Sequence, residues 1–338
     1  MLPCLLITKL ERCHIQSIHN MNNITAKVIA DSIGPTGVRV TTMEIEYPRF
    51  ILAELNTHRL LSKNSASSRA IPVAKMHEQI STNPATPVYW GKNQPGMSAS
   101  EELQGDELGM AKYYWNGAKE AALRFAKAMS DIGLHKQVAN RPAEPFQLMK
   151  TVITGTEWSN FYYLRNHYQA QPEIQALAAA MYKAHTESKP KQLEPGEWHL
   201  PYVLASRDIM GTLYYRDNSG NELSLEDAKV ISVSCCAQVS YRKNDDSLEK
   251  AQNIFDKLIN SKPAHSSPTE HQATPMPLRY LGMEDTGRKY WPKGVSHQCQ
   301  DGSYWSGNLQ GWIQYRKTLD GEAQWGRIPT VGDETEST

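Results

Sequence analysis

The sequence predicts an α+β fold, an antiparallel sheet with a helical layer. Three observations point there. Two alternating runs near the start flank a tight turn, and a long amphipathic helix follows in the middle of the chain. The fingerprints of common nucleotide-binding folds are missing, since there is neither a Gly-x-Gly-x-x-Gly run nor a Walker lysine motif.

The elements follow in chain order. Ile24 to Ser32 alternates through Ile24, Ala26, Val28 and Ala30 and reads as a strand. Gly34-Pro35-Thr36-Gly37 is a turn, and Val38 to Tyr47 alternates again, with Val38, Val40, Thr42 and Glu44 on one face. The two runs form a hairpin that Pro48 ends. Phe50 to Arg59 carries Ile51, Leu52 and Leu55 at helical spacing, whereas residues 60–104 are rich in Ser, Asn, Pro and Gly and read as loops and short helices. The long helix covers 106–131, with Ala111, Trp115, Ala118, Ala122, Phe125 and Met129 as its apolar stripe and Gly133 closing it. Further helices are expected over 143–168 and 172–186, and residues 187–224 are turn-rich. Ser224 and Asp227 cap a helix ending near Ala237, and Leu248, Ala251, Ile254, Phe255 and Leu258 mark another. After residue 276 the chain is irregular until 310–318. Residues 1–20 read as an N-terminal extension. Residues 21–338 read as a single domain enlarged by insertions at about 70–104 and 187–223 and by a C-terminal segment, 276–338.

Composition limits the partners. Among 338 residues, 36 Lys and Arg balance 36 Asp and Glu, so the chain lacks the basic footprint of a nucleic-acid polymer binder. Any anion must be held by a few placed arginines. No apolar run approaches the roughly 18 residues of a membrane span. The five cysteines, Cys4, Cys13, Cys235, Cys236 and Cys299, form no CxxC pair, which suits a reducing cytoplasm.

Three polar clusters carry possible chemistry. The first runs from Thr57 to Arg69 and offers His58, Arg59, Ser62, Asn64, Ser67, Ser68 and Arg69, donors suited to a phosphate or a planar heterocycle. Composition alone favours a solvated Ser/Asn-rich loop. The second is Asn160-Phe161 with Leu164-Arg165, also readable as an aromatic core helix with a snorkelling arginine. The third is His265-Ser266-Ser267-Pro268-Thr269-Glu270-His271. Its two His and one Glu invite a metal, but the spacing is not that of a zinc helix and Pro268 interrupts one, so no metal is expected. Trp305, Trp312, Tyr315 and Arg316 read as a packed segment rather than a site.

Together these residues resemble the flavin-dependent thymidylate synthases. That family's loop reads Arg-His-Arg-x-x-Ser-x-Asn-Glu-x-Ser-x-Arg-Tyr, and six of its nine fixed positions recur here, with Thr57, Ser65 and Ala70 in place of Arg, Glu and Tyr. Asn160-Phe161-x-x-Leu164-Arg165, then Ala170-Gln171-x-Glu173-Ile174, resembles its second motif, and Ala139, Arg141 and Pro145 resemble a third. Val239-Ser240-Tyr241 and the His265–His271 run resemble two more, which in the family precede the loop and here follow it by about 200 residues. The order resembles a circular permutation, as in a divergent, phage-type branch of the family.

The resemblance implies reductive methylation of dUMP to dTMP with FAD, methylenetetrahydrofolate and NADPH, in a homotetramer with active sites between subunits. It assigns catalytic roles to Ser67, Arg69 and Arg165, and dUMP binding to Glu54, Ser67, Ser68, Arg69, Arg141 and Arg165. It assigns FAD binding to His58, Arg59, Asn160, Ser240, His265, Ser267 and Glu270. No cysteine sits beside a basic motif that would make it a thiolate nucleophile, which agrees with flavin chemistry. Glu54 stands where the family often has glutamine near the pyrimidine. A dCMP-directed or hydroxymethyl-transferring relative is therefore one alternative. A non-catalytic nucleotide- or flavin-binding homologue is the other.

Overall fold

A computed structural model describes residues 23–239, 246–262, 264–277 and 292–322. The expected N-terminal extension, Cys4, Cys13, Ser240 and Tyr241 lie outside the described residues, as does much of the C-terminal segment.

The hairpin forms as expected. β1 (Thr25–Ile33) pairs antiparallel with β2 (Arg39–Pro48) in a register from Thr25 opposite Glu46 to Ile33 opposite Arg39, with a bulge between Val28 and Ala30. Gly37 has φ of +79° and closes the turn through its N–H on the Gly34 carbonyl, a conformation that costs glycine little. A 3-10 turn (Arg49–Ile51) leads into a short helix, α1 (Leu52–Asn56). The polar run that follows is partly a strand, β3 (Ser62–Ser65).

Beyond β3 lie α2 (Val73–Thr82) and the long α3 (Gly105–Asp131). The expected helix over 143–168 is corrected by the structure. A 3-10 turn (Arg141–Phe146) precedes the strand β4 (Leu148–Gly155), and only α4 (Ser159–Arg165) is helical. Two causes act here. Thr151, Val152, Ile153 and Thr154 are β-branched and favour extended backbone. β4 also lies between β2 and β3 with both faces covered, so its apolar residues do not alternate.

α5 (Pro172–Glu187) and β5 (Lys191–Gln192) complete this unit. The sheet order is β3-β4-β2-β1-β5, antiparallel except for the short β1–β5 pair. Met43, Ile45, Tyr47 and Ile153 face α5 and pack with Ile174, Leu177, Met181 and Phe161 in the main core.

The turn-rich segment folds as a small sheet of β6 (Leu204–Arg207), β7 (Leu213–Arg216) and β8 (Glu222–Leu223) before α6 (Leu225–Ala237) and α7 (Leu248–Leu258). The Ser224 hydroxyl accepts from the Asp227 N–H, the cap the sequence predicts. Cys236 and Val239 pack on Val152 across the opposite face of the sheet from α5. β9 (Ala273–Pro275) follows. A C-terminal arm then adds β10 (His297–Gln298), β11 (Tyr304–Ser306), β12 (Leu309–Gln310) and β13 (Trp312–Gln314), the last paired with β9.

α3 corrects two residues of its predicted stripe. Trp115, Ala122 and Leu123 turn inward toward Met76, Ile80 and Phe146, while Ala118 is exposed and Phe125 is 57% exposed. Apolar residues occur on both faces of this helix, so spacing alone does not choose between them.

Candidate active site

The signature segment is held at both ends of β3. Before the strand, Glu54 on α1, His58 in the following loop and Arg165 at the end of α4 form one cluster. Arg165 pairs with Glu54 through Nη1, and its Nε donates to His58 Nε2 at 2.8 Å. That contact makes His58 an acceptor at Nε2. Burial, with Arg165 and Lys63 close by, pushes its pKa down to about 4, so the ring is neutral at pH 7. Phe161, one turn before Arg165 on α4, meets the His58 ring edge-on at 5.0 Å. The buried phenyl thus sets the imidazole for the guanidinium.

On the same side of β3 lies a cleft of about 400 Å³. Arg59, Ser62 and Lys63 line it from the signature segment, Glu270 from the 3-10 turn Ser267–Glu270, and Asn308 and Arg316 from the C-terminal arm. Lys63 Nζ donates to the carbonyls of His58 at 2.6 Å and Leu61 at 2.9 Å. Burial lowers its pKa to about 8, opposed by the nearby Glu270 carboxylate. Arg316 Nη1 donates to Glu270 Oε1 at 2.5 Å.

Beyond β3 a second cluster forms around Glu144. Its Oε1 accepts from Ser68 Oγ at 2.5 Å and from Arg141 Nη1 at 2.9 Å, and lies 3.2 Å from Arg49 Nη2. Asn140 Nδ2 donates to the carbonyls of Ser68 and Ile71 at 2.8 and 2.9 Å and fixes the backbone of this loop. Arg69 is exposed beside it, and Arg49 Nη1 is buried with no hydrogen-bond partner. This is a cationic corner with hydroxyls at its edge, suited to a phosphate.

The predicted residues therefore gather in two groups. Glu54, His58 and Arg165 meet, with Arg59 and Glu270 in the adjoining cleft, while Ser68 and Arg141 meet on Glu144 next to Ser67 and Arg69. Asn160 is exposed on α4, and His265 and Ser267 are exposed at the rim of the third motif. Ser240 lies outside the described residues. Sequence reasoning missed Glu144, Arg49 and Lys63, and it read Arg316 as packing. Glu144 and Arg49 had a weak signal, being charged residues next to Pro145 and Pro48. His271, the last residue of its motif, is fully buried and bonds Thr154 Oγ1 through Nδ1 at 2.8 Å, so it braces β4.

One comparison, with a family model, covers the signature segment. The Thy1 family model, thymidylate synthase complementing protein, matches residues 34–191. Among solved structures, the UMP/dUMP methylase PolB from Streptomyces cacaoi bound with 5-Br UMP is 16% identical, with a TM-score of 0.42, over 49% of this chain and 90% of that one. The same enzyme bound with 5-Br dUMP is 16% identical, with a TM-score of 0.40, over 49% and 91%. No curated protein sequence matches the chain. From residue 34 to residue 191, the span holding the signature segment, α4 and α5, the chain is similar to the thymidylate synthase complementing protein family, whose model matches just under half of its length.

Proposed function

We propose that this protein is a flavin-dependent thymidylate synthase, converting dUMP to dTMP with methylenetetrahydrofolate as carbon donor and NADPH as reductant. One observation carries the reading. Segments about 100 and 200 residues apart in sequence converge on the signature strand, Arg165 on Glu54 and His58, and Glu270 on the cleft with Arg59 and Lys63.

Ser67, Ser68, Arg69 and Arg141 hold the dUMP phosphate, and Glu144 holds Ser68 and Arg141 in place for it. Arg165 faces the pyrimidine end, its guanidinium oriented by Glu54 and His58. The donor set of the cleft suits FAD, since Arg59 and Lys63 offer positive charge and Glu270 an acceptor beside the neutral His58. His58, Arg59, Glu270 and, at the rim, Asn160, His265 and Ser267 would hold that cofactor. FAD, when bound, supplies the redox chemistry that no side chain here provides.

The two groups stand at opposite ends of a four-residue strand, about 13 Å long. A second copy of the chain would complete each site, which favours a homotetramer with active sites between subunits. The outer face of α3 supports this. Met110, Tyr114, Phe125 and Ile132 recur there at helical spacing and are all exposed, at 50%, 60%, 57% and 84%.

Purified protein is expected to be yellow and to release tritium from 5-tritiated dUMP when folate and NADPH are present. Protein that takes up no FAD and releases no tritium refutes the proposal. Rescue of a thymidine auxotroph by the wild type but not by Arg69→Ala separates an enzyme from a non-catalytic binder. Glu54 favours one second reading, a dCMP-directed or hydroxymethyl-transferring enzyme, because its carboxylate can accept from a cytosine amino group. The mass of the nucleotide product decides between them.

A further inference from the structure

The insertion expected at about 70–104 builds a pocket of its own. Residues 90–103 form a small hairpin, in which the Lys92 N–H donates to the Glu101 carbonyl at 2.8 Å and the Leu103 N–H to the Trp90 carbonyl at 2.9 Å. A Cβ on Gly91 would come within 2.4 Å of the Ala99 side chain, so the loop folds back onto the hairpin because glycine stands there. Ser98 Oγ donates to the Gln169 carbonyl at 3.3 Å and ties this loop to the chain entering α5. Between the hairpin, α3 and the start of α5 lies a cavity of about 500 Å³. That volume falls within the usual range for small-molecule sites, about 300–1,000 Å³. None of the residues lining it is assigned above to dUMP or FAD.

The lining is aromatic. Phe50, Tyr89, Trp115 and Tyr168 form it together with Met97 from the loop. Phe50 meets Trp115 edge-on at 6.2 Å, and Trp115 Nε1 donates to the Ala85 carbonyl at 3.2 Å, which fixes the indole. Tyr168 is 59% exposed and leaves one side open to solvent. Among the described residues that line the cavity, Glu173 is the one charged side chain. It is 4% exposed, and both its oxygens accept from neutral donors, the Val88 N–H at 2.9 Å and Gln171 Nε2 at 3.1 Å. Among the described residues no salt bridge reaches it. A carboxylate has about four acceptor positions, so these two bonds leave others open. A buried carboxylate without a counter-ion favours a cationic ligand, and the negative face of each ring adds to that attraction.

We propose that this cavity binds an organic ammonium cation alkylated at nitrogen, with Glu173 as the counter-charge and Tyr89, Trp115 and Tyr168 as the ring walls. Alkylation suits the lining because a ring face attracts positive charge but does not satisfy the three N–H donors of a primary ammonium. The inference goes beyond the synthase reading and does not depend on it.

The test titrates choline, and its uncharged analogue with carbon in place of nitrogen, into the full chain by isothermal titration calorimetry. Wild type, Glu173→Gln and Tyr168→Leu are compared, with circular dichroism as the fold control. Choline is expected to bind wild type about tenfold more tightly than the analogue does. Glu173→Gln is expected to remove most of that preference, and Tyr168→Leu to weaken choline about threefold or more. The glutamine keeps an acceptor for the Val88 N–H, so a carboxylate with only a structural role would leave choline affinity unchanged. Should Glu173→Gln fail to fold, Tyr168→Leu, at an exposed position, decides together with the analogue. The proposal falls if wild type binds no choline, if the analogue binds as tightly, or if either folded variant binds choline like wild type.

Discussion

Glu144 collects Ser68, Arg141 and Arg49 on a single carboxylate oxygen, although it need not touch substrate. Its loss leaves two guanidinium groups facing each other and frees the hydroxyl loop. Glu144→Gln is expected to raise KM for dUMP about tenfold with a smaller effect on kcat, because hydrogen bonds to charged groups contribute roughly 1.5–3 kcal/mol. Steady-state kinetics check this, and an unchanged KM would show that Glu144 has no positioning role. Lys63 gives a second expectation. It faces Glu270 across a cleft that also carries Arg59, Arg316 and Lys317, and its pKa is lowered to about 8. As pH rises through that value the cleft loses a positive charge. Dinucleotide affinity should therefore fall between about pH 7.5 and 9 in wild type and change little over that range in Lys63→Met.

β3 and α4 show how the elements place these groups. β3 is a polar edge strand, Ser-Lys-Asn-Ser, and it pairs because β4 offers it a ladder from Ser62 opposite Thr154 to Ser65 opposite Thr151. No hydrophobic pattern announces it, so composition reads a loop. α4 buries Phe161, at 2% exposure, between the core and the His58 ring. Phe161→Ala is expected to destabilise the fold by about 3–5 kcal/mol and to loosen His58 from Arg165. Urea unfolding measures the first effect, and the His58 ring resonances measure the second. The wrong expectation for 143–168 belongs to the same class. A strand covered on both faces loses its alternation, and a short apolar run of that kind is ambiguous until its partners are known.

Across the whole molecule, buried histidines along one face of the sheet tie β1, β2 and β4 into acid sensitivity. His199 accepts or donates between Ser32 and Thr42, and Thr42 meets Thr154, which bonds His271. Burial lowers His199 to about 4 and His271 to about 3. In the unfolded chain both would take up protons near the ordinary value of about 6.5, well before the folded protein does. Stability is therefore full above about pH 6.5 and is lost as pH falls toward 4, on the order of 3 kcal/mol for His199 alone. Denaturant midpoints across that window check the direction. The outer face of α3 carries a further expectation, that Tyr114→Glu with Phe125→Glu breaks the proposed tetramer into smaller species in light scattering.

Local chemistry made part of this legible in advance. The hairpin, its glycine turn and the Ser224 cap depend on neighbours a few residues apart, so their patterns survive in a linear reading. The roster of polar residues in the signature segment was legible too, because their types must appear somewhere for the chemistry to occur. What folding alone supplied was which of them meet. Arg165 reaches Glu54 across 111 residues, Asn308 reaches Ser62 across 246, and Glu144 gathers Arg49, just after β2, with Arg141, just before β4. Such contacts follow from strand pairing and from burial that excludes water, and neither leaves a period in the chain.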